Sequence, residues 1–491
     1  MDVVTVLFWL LAACALFSRL EFAYYLAFVS WSFGTLAVLP AFVGANITPP
    51  WVCTAIVVAK VFQRRSGAEI MSIALEPKLF LALTLCTIYG VASALILPNL
   101  FVGKIEVILM RLNFDAQGVT FLAFSAANIT QSGYFILTTL FTIAIYFTAS
   151  TLDGRRLLFS AFRWGAITVV VTGLADLLTS STGLAFLLSP FRNATYAIMV
   201  DDSMLGAKRV IGLASEASAY AGLTLSFLGL LVFLPSRPSA IFGAPWFGIT
   251  LAVSLAAMTY VSTSSGGLVA LGVVGILVTA NFARGAVLGR QTAVVGLFCI
   301  LVSITVAVGT ILLSPEVSGS VARLVDGMVL QKTHSQSYIE RSQWNTVAYN
   351  AFLQSYGLGV GLGSARASSW VFAVLSNLGA PGAILLSVFM VQVMFAKAAE
   401  QSQRELLLAL KLGLIPGMLV PTLSGTSVGY GLGNAFIIGL ALALITPLQS
   451  LSPRGPHPSR GKTPSSPLLG ASLERRLSGP SRPISNSPRQ P

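Results

Sequence analysis

Long apolar runs alternate with short polar connections along most of this chain. An α-helix needs about 20 apolar residues to cross the hydrocarbon core of a bilayer, and most of these runs approach that length. The pattern therefore predicts an all-α, polytopic transmembrane helical bundle of about 12–13 spans. The predicted spans are residues 3–18, 22–42, 48–62, 79–101, 132–150, 157–178, 213–234, 243–262, 268–282, 292–313, 367–395, 406–423 and 432–448.

Two polar stretches, residues 179–212 and 314–366, separate spans and are the predicted outer loops. The second contains two sets of apolar residues spaced three and four apart, which is typical of amphipathic helices at a water–apolar boundary. One set is Trp344, Val347, Ala348, Ala351 and Phe352, and the other is Val321, Leu324, Val325 and Met328. We therefore expect a large outer-face loop of amphipathic helices.

The composition supports a membrane location and excludes an ordinary soluble enzyme. Only 10% of the residues are charged, whereas soluble proteins carry about 25%. The net charge of +13 lies mainly in short connections and at the C-terminus, so a nucleic-acid partner is not expected. Basic residues at 64–65, 155–156, 284–290 and 397–404 flank the spans. The positive-inside rule assigns these connections to the cytoplasm.

Residues 452–491 differ from the transmembrane helical domain, residues 1–451. The segment is rich in Pro and Ser and has seven Lys or Arg residues against one Glu. Because it lacks the apolar residues that a core needs, we predict a disordered, basic cytoplasmic tail. A solvated topology anchor is the favoured interpretation, and contact of its charge with anionic membrane lipids is the alternative.

Arg209, Glu216 and Tyr220 form the first candidate group, in a stretch predicted to be helical from Lys208 onward. On a helix, Arg209 and Glu216 would lie on one face about two turns apart, with Tyr220 a turn further. A carboxylate near a membrane boundary is costly unless it is paired or functional. Two interpretations stay open: a structural pair between helices, or a carboxylate base beside a cationic clamp for an anion.

Arg341 begins the second candidate group. Its planar guanidinium suits phosphate oxygens, and Arg366, Lys332, His334 and Glu340 lie in the same outer loop. These residues predict a site for an anion that faces water, although Arg341 could instead extend to lipid headgroups. A single loop histidine does not make a metal site, and no metal or other cofactor is expected.

Several segments between about residues 205 and 385 occur in the order found in a known membrane superfamily. They are Arg209 with Gly212, Glu216 and Ser218; the serine turn Ser262-Thr263-Ser264-Ser265-Gly266; Arg341-Ser342-Gln343-Trp344; the glycine segment Gly357 to Gly363; and Asn377-Leu378-Gly379. In this order the chain resembles the bacterial O-antigen polymerases and O-antigen ligases. The remaining residues match only in the pattern of spans.

Two departures from the family pattern bear on function. Family members often carry an arginine directly after the serine turn, where this chain has glycines at 266 and 267. Half of the family's diphosphate clamp would then come from elsewhere, and Arg366 is a candidate. The ligases tend to carry a histidine after the glycine segment, where this chain has Ser368-Ser369-Trp370. That difference favours a polymerase.

The resemblance implies a GT-C-like, metal-independent, inverting glycosyltransferase in the bacterial inner membrane. It would transfer a growing glycan from a polyprenyl-diphosphate carrier onto a lipid-linked repeat unit at the outer face, in exopolysaccharide or O-antigen synthesis. Arg341 and Arg209 would stabilise the departing diphosphate, and Glu216, or else Glu340, would be the base. The predicted substrate-binding residues are Arg366, Glu340, Lys332, His334 and Tyr220.

The implied ligand is a polyprenyl-diphosphate-linked oligosaccharide, and the implied protein partners are a flippase and a chain-length regulator. Two alternatives stay open. One is an O-antigen-type ligase, and the other is a non-enzymatic flippase or exporter of lipid-linked oligosaccharide. An exporter should carry charges at mid-span depth, whereas the candidate residues cluster towards the outer boundary.

Overall fold

The computed structural model of the protein describes residues 2–39, 46–110, 118–195, 198–200, 203–204, 207–234, 245–314, 318–319, 322, 326 and 336–447. The predicted tail at 452–491, two of the candidate site residues and most of the helix predicted over 321–328 lie outside these described residues. The two site residues are Lys332 and His334.

Helices dominate the described part of the chain. In order they are α1 (Val3–Phe17), α2 (Leu20–Ser30), α3 (Pro49–Phe62), α4 (Gly67–Ala74), α5 (Leu81–Leu100), α6 (Ala126–Ala149), α7 (Leu152–Ser181), α8 (Ala217–Phe233), α9 (Pro245–Val261), α10 (Ser265–Val287), α11 (Gln291–Leu313), α12 (Gln336–Gln354), α13 (Trp370–Phe395), α14 (Arg404–Ser424) and α15 (Leu432–Ala443). Four short strands form two antiparallel pairs. One pair is β1 (Glu106–Val107) with β2 (Thr120–Phe121), and the other is β3 (Ser203–Met204) with β4 (Ala207–Lys208).

The predicted apolar helical bundle is confirmed. Six helices, α5, α6, α7, α10, α13 and α14, are long and apolar enough to cross a membrane, and the other predicted spans coincide with shorter apolar helices. The predicted end of the second span, at residue 42, was wrong, because α2 ends at Ser30. Gly34 disfavours further helix there. The chain folds back instead, and Thr35 donates its backbone N–H to the carbonyl of Leu213 at 3.1 Å.

Small residues allow the helices at the centre of the bundle to approach closely. A Cβ atom added to Gly229 of α8 would lie 2.9 Å from the carbonyl oxygen of Gly413 in α14. This backbone-to-backbone approach is the type of packing expected between apolar helices in a membrane. A single large core of aliphatic and aromatic side chains results, and it includes Phe28, Phe227 and Phe436.

Basic side chains at one end of the bundle bind the carbonyl groups that terminate helices. The Lys60 ammonium donates to the carbonyls of Leu16 and Ser18 at 2.8 and 2.6 Å, at the C-terminal end of α1. Arg155 donates to the carbonyl of Ala149 at 2.7 Å, and Lys411 donates to that of Ala396 at 2.6 Å. The final carbonyls of a helix have no intrahelical partner, so these cations satisfy them. We call this end of the bundle the basic end.

The opposite end, which we call the site end, carries the candidate residues. A glycine segment crosses it between α12 and α13 and lies against a kink in α13 at Gly379 (φ 61°). Asn377 binds this segment with both ends of its amide. Its oxygen accepts from the backbone N–H groups of residues 363, 364 and 365 at 3.0–3.2 Å, and its nitrogen donates to the carbonyl of Ala365 at 2.8 Å.

The glycines are required because the backbone approaches neighbouring helices closely. Gly363 has φ 87°, and a Cβ atom there would lie 2.5 Å from the Ala127 carbonyl oxygen. Asn128 of α6 donates to the Leu362 carbonyl at 2.9 Å and to the Ser364 hydroxyl at 2.8 Å. The segment is therefore bound to two helices, and it sets the position of Arg366, which follows it directly.

The helix directions predict that the two ends face opposite sides of the membrane. Cysteines introduced at the exposed positions Gln354, at the site end, and Leu288, at the basic end, test this arrangement. We expect a membrane-impermeant thiol reagent to label only one of the two in intact cells, and both after permeabilisation. The exposed Cys14 and Cys299 would first be replaced by alanine. Equal labelling of both positions in intact cells would contradict the fold.

Candidate functional site

The segment from Lys208 to Tyr220 is not one helix, so the predicted placement of Arg209 and Glu216 on a single helix face was wrong. Residues 209–216 form an irregular connection between β4 and α8, and Glu216 is the N-cap residue of α8. Gly212 has φ 56°, which a right-handed helix does not allow. The cause lies in α7, where the Asp176 side chain takes the backbone N–H groups that a helix would use.

Asp176 is 1% exposed and accepts four hydrogen bonds. One carboxylate oxygen accepts from the backbone N–H groups of Ile211 and Gly212 at 2.8 and 3.0 Å. The other accepts from Arg192 at 2.8 Å and from Lys208 at 3.3 Å. Arg192 also donates to the Gly212 carbonyl at 2.6 Å, so carboxylate and guanidinium together fix this turn. The buried charge is thus paired, as its location requires.

Glu216 forms an ion pair with Arg341 of α12. Their closest atoms, Oε2 and Nη2, are 3.5 Å apart, and both side chains are partly exposed. The Ser218 hydroxyl donates to the other carboxylate oxygen of Glu216. The structure therefore brings together residues from two of the predicted groups, 125 positions apart in sequence, at the site end of the bundle.

Arg366 completes what we call the arginine–glutamate cluster: Glu216, Arg341 and Arg366. Its guanidinium carbon lies 4.1 Å from the centre of the Trp344 ring. Trp344 follows Arg341 by about one helical turn on α12. Burial lowers the pKa of Arg366, the Glu216 carboxylate raises it, and the neighbouring Arg341 lowers it. The arginine is held by stacking, and its Nε atom is buried without a hydrogen-bond partner in the described residues.

Arg209 lies against the serine turn. Its guanidinium donates to the carbonyls of Ser262 and Thr263, both at 3.4 Å. Thr263 has φ 49°, a strained conformation for a β-branched residue. Backbone strain of this kind often occurs at functional sites. Glycines follow this turn at positions 266 and 267, and Arg209 brings a guanidinium to the turn from another segment.

The two remaining described candidates differ in position. Tyr220 is fully buried, its hydroxyl donates to the Val169 carbonyl at 2.9 Å, and its ring packs against Gly212. The structure therefore holds Tyr220 in the contact between α7 and α8 and does not bring it into the cluster. Glu340 lies on α12 beside Arg341 and is half-buried.

The cluster can bind an anion while keeping a carboxylate close to it. Two guanidinium groups and one carboxylate leave a surplus of one positive charge, and Arg341 and Glu216 are partly exposed. Guanidinium groups bind phosphate oxygens through paired, charge-assisted hydrogen bonds. A carboxylate within reach of the same ligand can accept a proton from a hydroxyl group.

Sequence reasoning missed Asp176 and the role of Trp344. Asp176 is the single acidic residue in the predicted span 157–178. An acidic residue in such a run signals pairing or function, so it could have been found. Trp344 was assigned only to the apolar face of its helix, and sequence spacing gives no indication that Arg366 stacks on it.

Comparison with known proteins does not identify the chain. No protein-family model matches it, and no curated protein matches it by sequence.

We expect Asp176→Asn to destabilise the protein strongly, because it leaves Arg192 buried without its counter-charge. Loss of one partner from a buried ion pair costs about 3–5 kcal/mol. Thermal unfolding of the purified protein in detergent measures the effect. Asp153→Asn is the matched control, since the Asp153–Arg156 pair is exposed and such pairs contribute about 0–1 kcal/mol. Wild-type stability of Asp176→Asn would show that the pair does not hold the turn.

Proposed function

We propose that the protein is a membrane polysaccharide polymerase. It would transfer a growing glycan from a polyprenyl-diphosphate carrier onto a lipid-linked repeat unit. The observation that carries this proposal is the arginine–glutamate cluster, because segments far apart in sequence converge there at one end of an apolar helical bundle. The cluster combines the two groups that such a transfer needs, a cationic site for the diphosphate and a carboxylate for the acceptor hydroxyl.

In the proposed reaction, Glu216 accepts the proton of an acceptor sugar hydroxyl, and the oxygen attacks the anomeric carbon of the donor. The bond between that carbon and the diphosphate oxygen breaks, and its electron pair leaves with the polyprenyl diphosphate. Arg341 and Arg366 stabilise the charge that grows on the leaving group. Arg209 would contribute from the serine turn. A single displacement of this kind inverts the anomeric configuration.

The Arg341–Glu216 contact suggests how the substrate prepares the base. Without substrate the two charges compensate each other across 3.5 Å. A bound diphosphate would attract Arg341, since guanidinium binds phosphate oxygens in a bidentate manner. Glu216 would then be released from its cationic partner and could accept a hydrogen bond from the acceptor hydroxyl. Ser218 would hold the carboxylate in place during this exchange.

The surroundings of residues 368–370 favour a polymerase over a ligase. Where the ligases tend to carry a histidine, Ser369 donates to the Thr422 carbonyl at 2.7 Å and Trp370 donates to the Val428 carbonyl at 2.9 Å. Both side chains thus bind the protein's own backbone. A flippase or exporter is less consistent with the cluster, because Glu216 directly precedes α8 and Arg366 precedes α13, away from mid-span depth.

The same proposal gives the protein a location. The basic end would face the cytoplasm by the positive-inside rule, with the C-terminal tail on the same side. The site end would face the outside of a bacterial inner membrane, in a GT-C-like arrangement. A flippase would deliver the lipid-linked repeat unit there, and a chain-length regulator would act on the polymer. Labelling of a cysteine at Gln354, and not at Leu288, by the impermeant reagent supports this orientation.

Arg341→Ala should abolish polymer formation, because the diphosphate loses its principal cationic partner. Arg341→Lys should restore it only partly, since an ammonium group does not reproduce the bidentate fork. Each variant is expressed in the bacterium after its chromosomal copy of the gene has been deleted. The glycans of these cells are then separated on a gel to measure polymer formation. Lipid-linked single repeat units should accumulate. Arg156→Ala at the basic end is the control, and normal polymer from Arg341→Ala would reject the proposed function.

Glu216→Gln should lower the polymerisation rate by about 10²-fold or more, the usual contribution of a general base. Purified protein with isolated lipid-linked repeat units provides the assay. Glu340→Gln tests the other candidate base in the same way. A purely structural role for Glu216 predicts instead that Arg341→Gln, added to Glu216→Gln, restores both stability and activity. Restored activity in that double variant would exclude Glu216 as the base.

A further inference from the structure

Helix α12 has an exposed flank that the arginine–glutamate cluster does not use. Tyr338, Ile339, Tyr349 and Leu353 are all exposed and lie within about 100° of one another around the helix, with the small polar residues Ser342 and Thr346 between them. Tyr356 is exposed just beyond the end of the helix at Gln354. The adjoining side of the same helix is polar and exposed, with Gln343, Asn350 and Gln354. We call the five apolar and aromatic residues (Tyr338, Ile339, Tyr349, Leu353 and Tyr356) the tyrosine flank.

The tyrosine flank lies at the level where α13 begins. The Tyr349 ring makes an edge contact with Phe372, in the first turn of α13, with 6.1 Å between ring centres. Val371 beside it is exposed and apolar. Because α13 is one of the helices that are long and apolar enough to cross a membrane, its first turn marks the boundary between the apolar layer and water.

Tyr356 ends α12 in a left-handed conformation that two backbone hydrogen bonds fix. Its N–H donates to the Leu353 carbonyl, and the N–H of Gly357 donates to the Phe352 carbonyl, both at 3.0 Å. It has φ 55°, where glycine is the usual residue, and its side chain is 87% exposed. Little of the described chain covers the ring, which is therefore open to contact from outside the protein.

We propose that the tyrosine flank docks on the boundary between lipid headgroups and acyl chains, and thereby holds α12 at a fixed depth. Tyrosine suits this boundary, because its ring favours the apolar side and its hydroxyl the wet side. The flank carries no charge, so the attraction is apolar and should not require anionic lipids. Arg341 is on the same helix, and its depth relative to the membrane is therefore set by these residues.

Site-directed nitroxides test the docking independently of any enzymatic assay. Each label is attached to a single cysteine in protein reconstituted into phosphatidylcholine nanodiscs, with the exposed Cys14 and Cys299 replaced by alanine. At 349, 353 and 356 we expect collisions with oxygen, which concentrates in lipid, to exceed those with a water-soluble nickel complex. The control positions Gln343 and Asn350, on the polar side of the same helix, should show the reverse.

Three outcomes would overturn the proposal. Preference for the nickel complex at all five positions would mean that the flank faces water. Protection of the flank from both reagents would mean that protein covers it, either a second copy of this chain or another partner. A lipid preference that appears only with added phosphatidylglycerol would mean that charge drives the contact.

Substitutions of Tyr356 give a second, independent measurement. Tyr356→Ala keeps the strained backbone and removes the ring, so we expect thermal unfolding in nanodiscs to begin about 2 °C lower or more. Tyr356→Phe should retain most of the stability, and Gln354→Ala is the neighbouring control on the polar side. If Tyr356→Ala is as stable as the wild type, the ring contributes nothing and the docking surface is rejected.

Discussion

A carboxylate buried in a largely apolar protein determines the geometry of the site end. Burial of a carboxylate costs free energy unless partners compensate it, and Asp176 takes them from Arg192, Lys208 and two backbone N–H groups of the following connection. The connection is thereby prevented from continuing as helix, and α8 begins only after Glu216. The position of the candidate base is thus a consequence of neutralising a charge on a different helix.

The position of Arg366, in the same cluster, depends on a buried side chain that is polar but uncharged. The amide of Asn377 satisfies three consecutive N–H groups and one carbonyl of the segment that leads to Arg366. Unpaired backbone groups at this depth would cost free energy comparable to the hydrogen bonds they lose. One charged and one neutral side chain therefore order two irregular segments, and between them these segments carry Glu216 and Arg366.

The helices could be predicted from the sequence because apolar periodicity is a local property. Each predicted span overlaps a helix, although α2 is shorter than its predicted span, and the Trp344 stripe predicted α12 correctly. The irregular segments could not be predicted, because their conformations depend on residues far away in sequence. Asp176 is 36 positions from Gly212, and Asn128 is 234 positions from Leu362. Those contacts bring Glu216 to Arg341. Helical spacing instead placed Glu216 on one helix face with Arg209, and that placement was wrong.

The basic end has a consequence for how the protein acquires its orientation. Lys60, Arg155 and Lys411 lie close to the clusters that the positive-inside rule counts, and each also closes the end of a neighbouring helix. The two functions cannot be separated by mutation at these three positions. A mutation that moves such a charge to invert the insertion of a helix would also leave helix-terminal carbonyls unsatisfied. An inverted bundle would therefore lack the hydrogen bonds between basic side chains and helix ends that stabilise it. The protein's orientation is in this sense part of its folding.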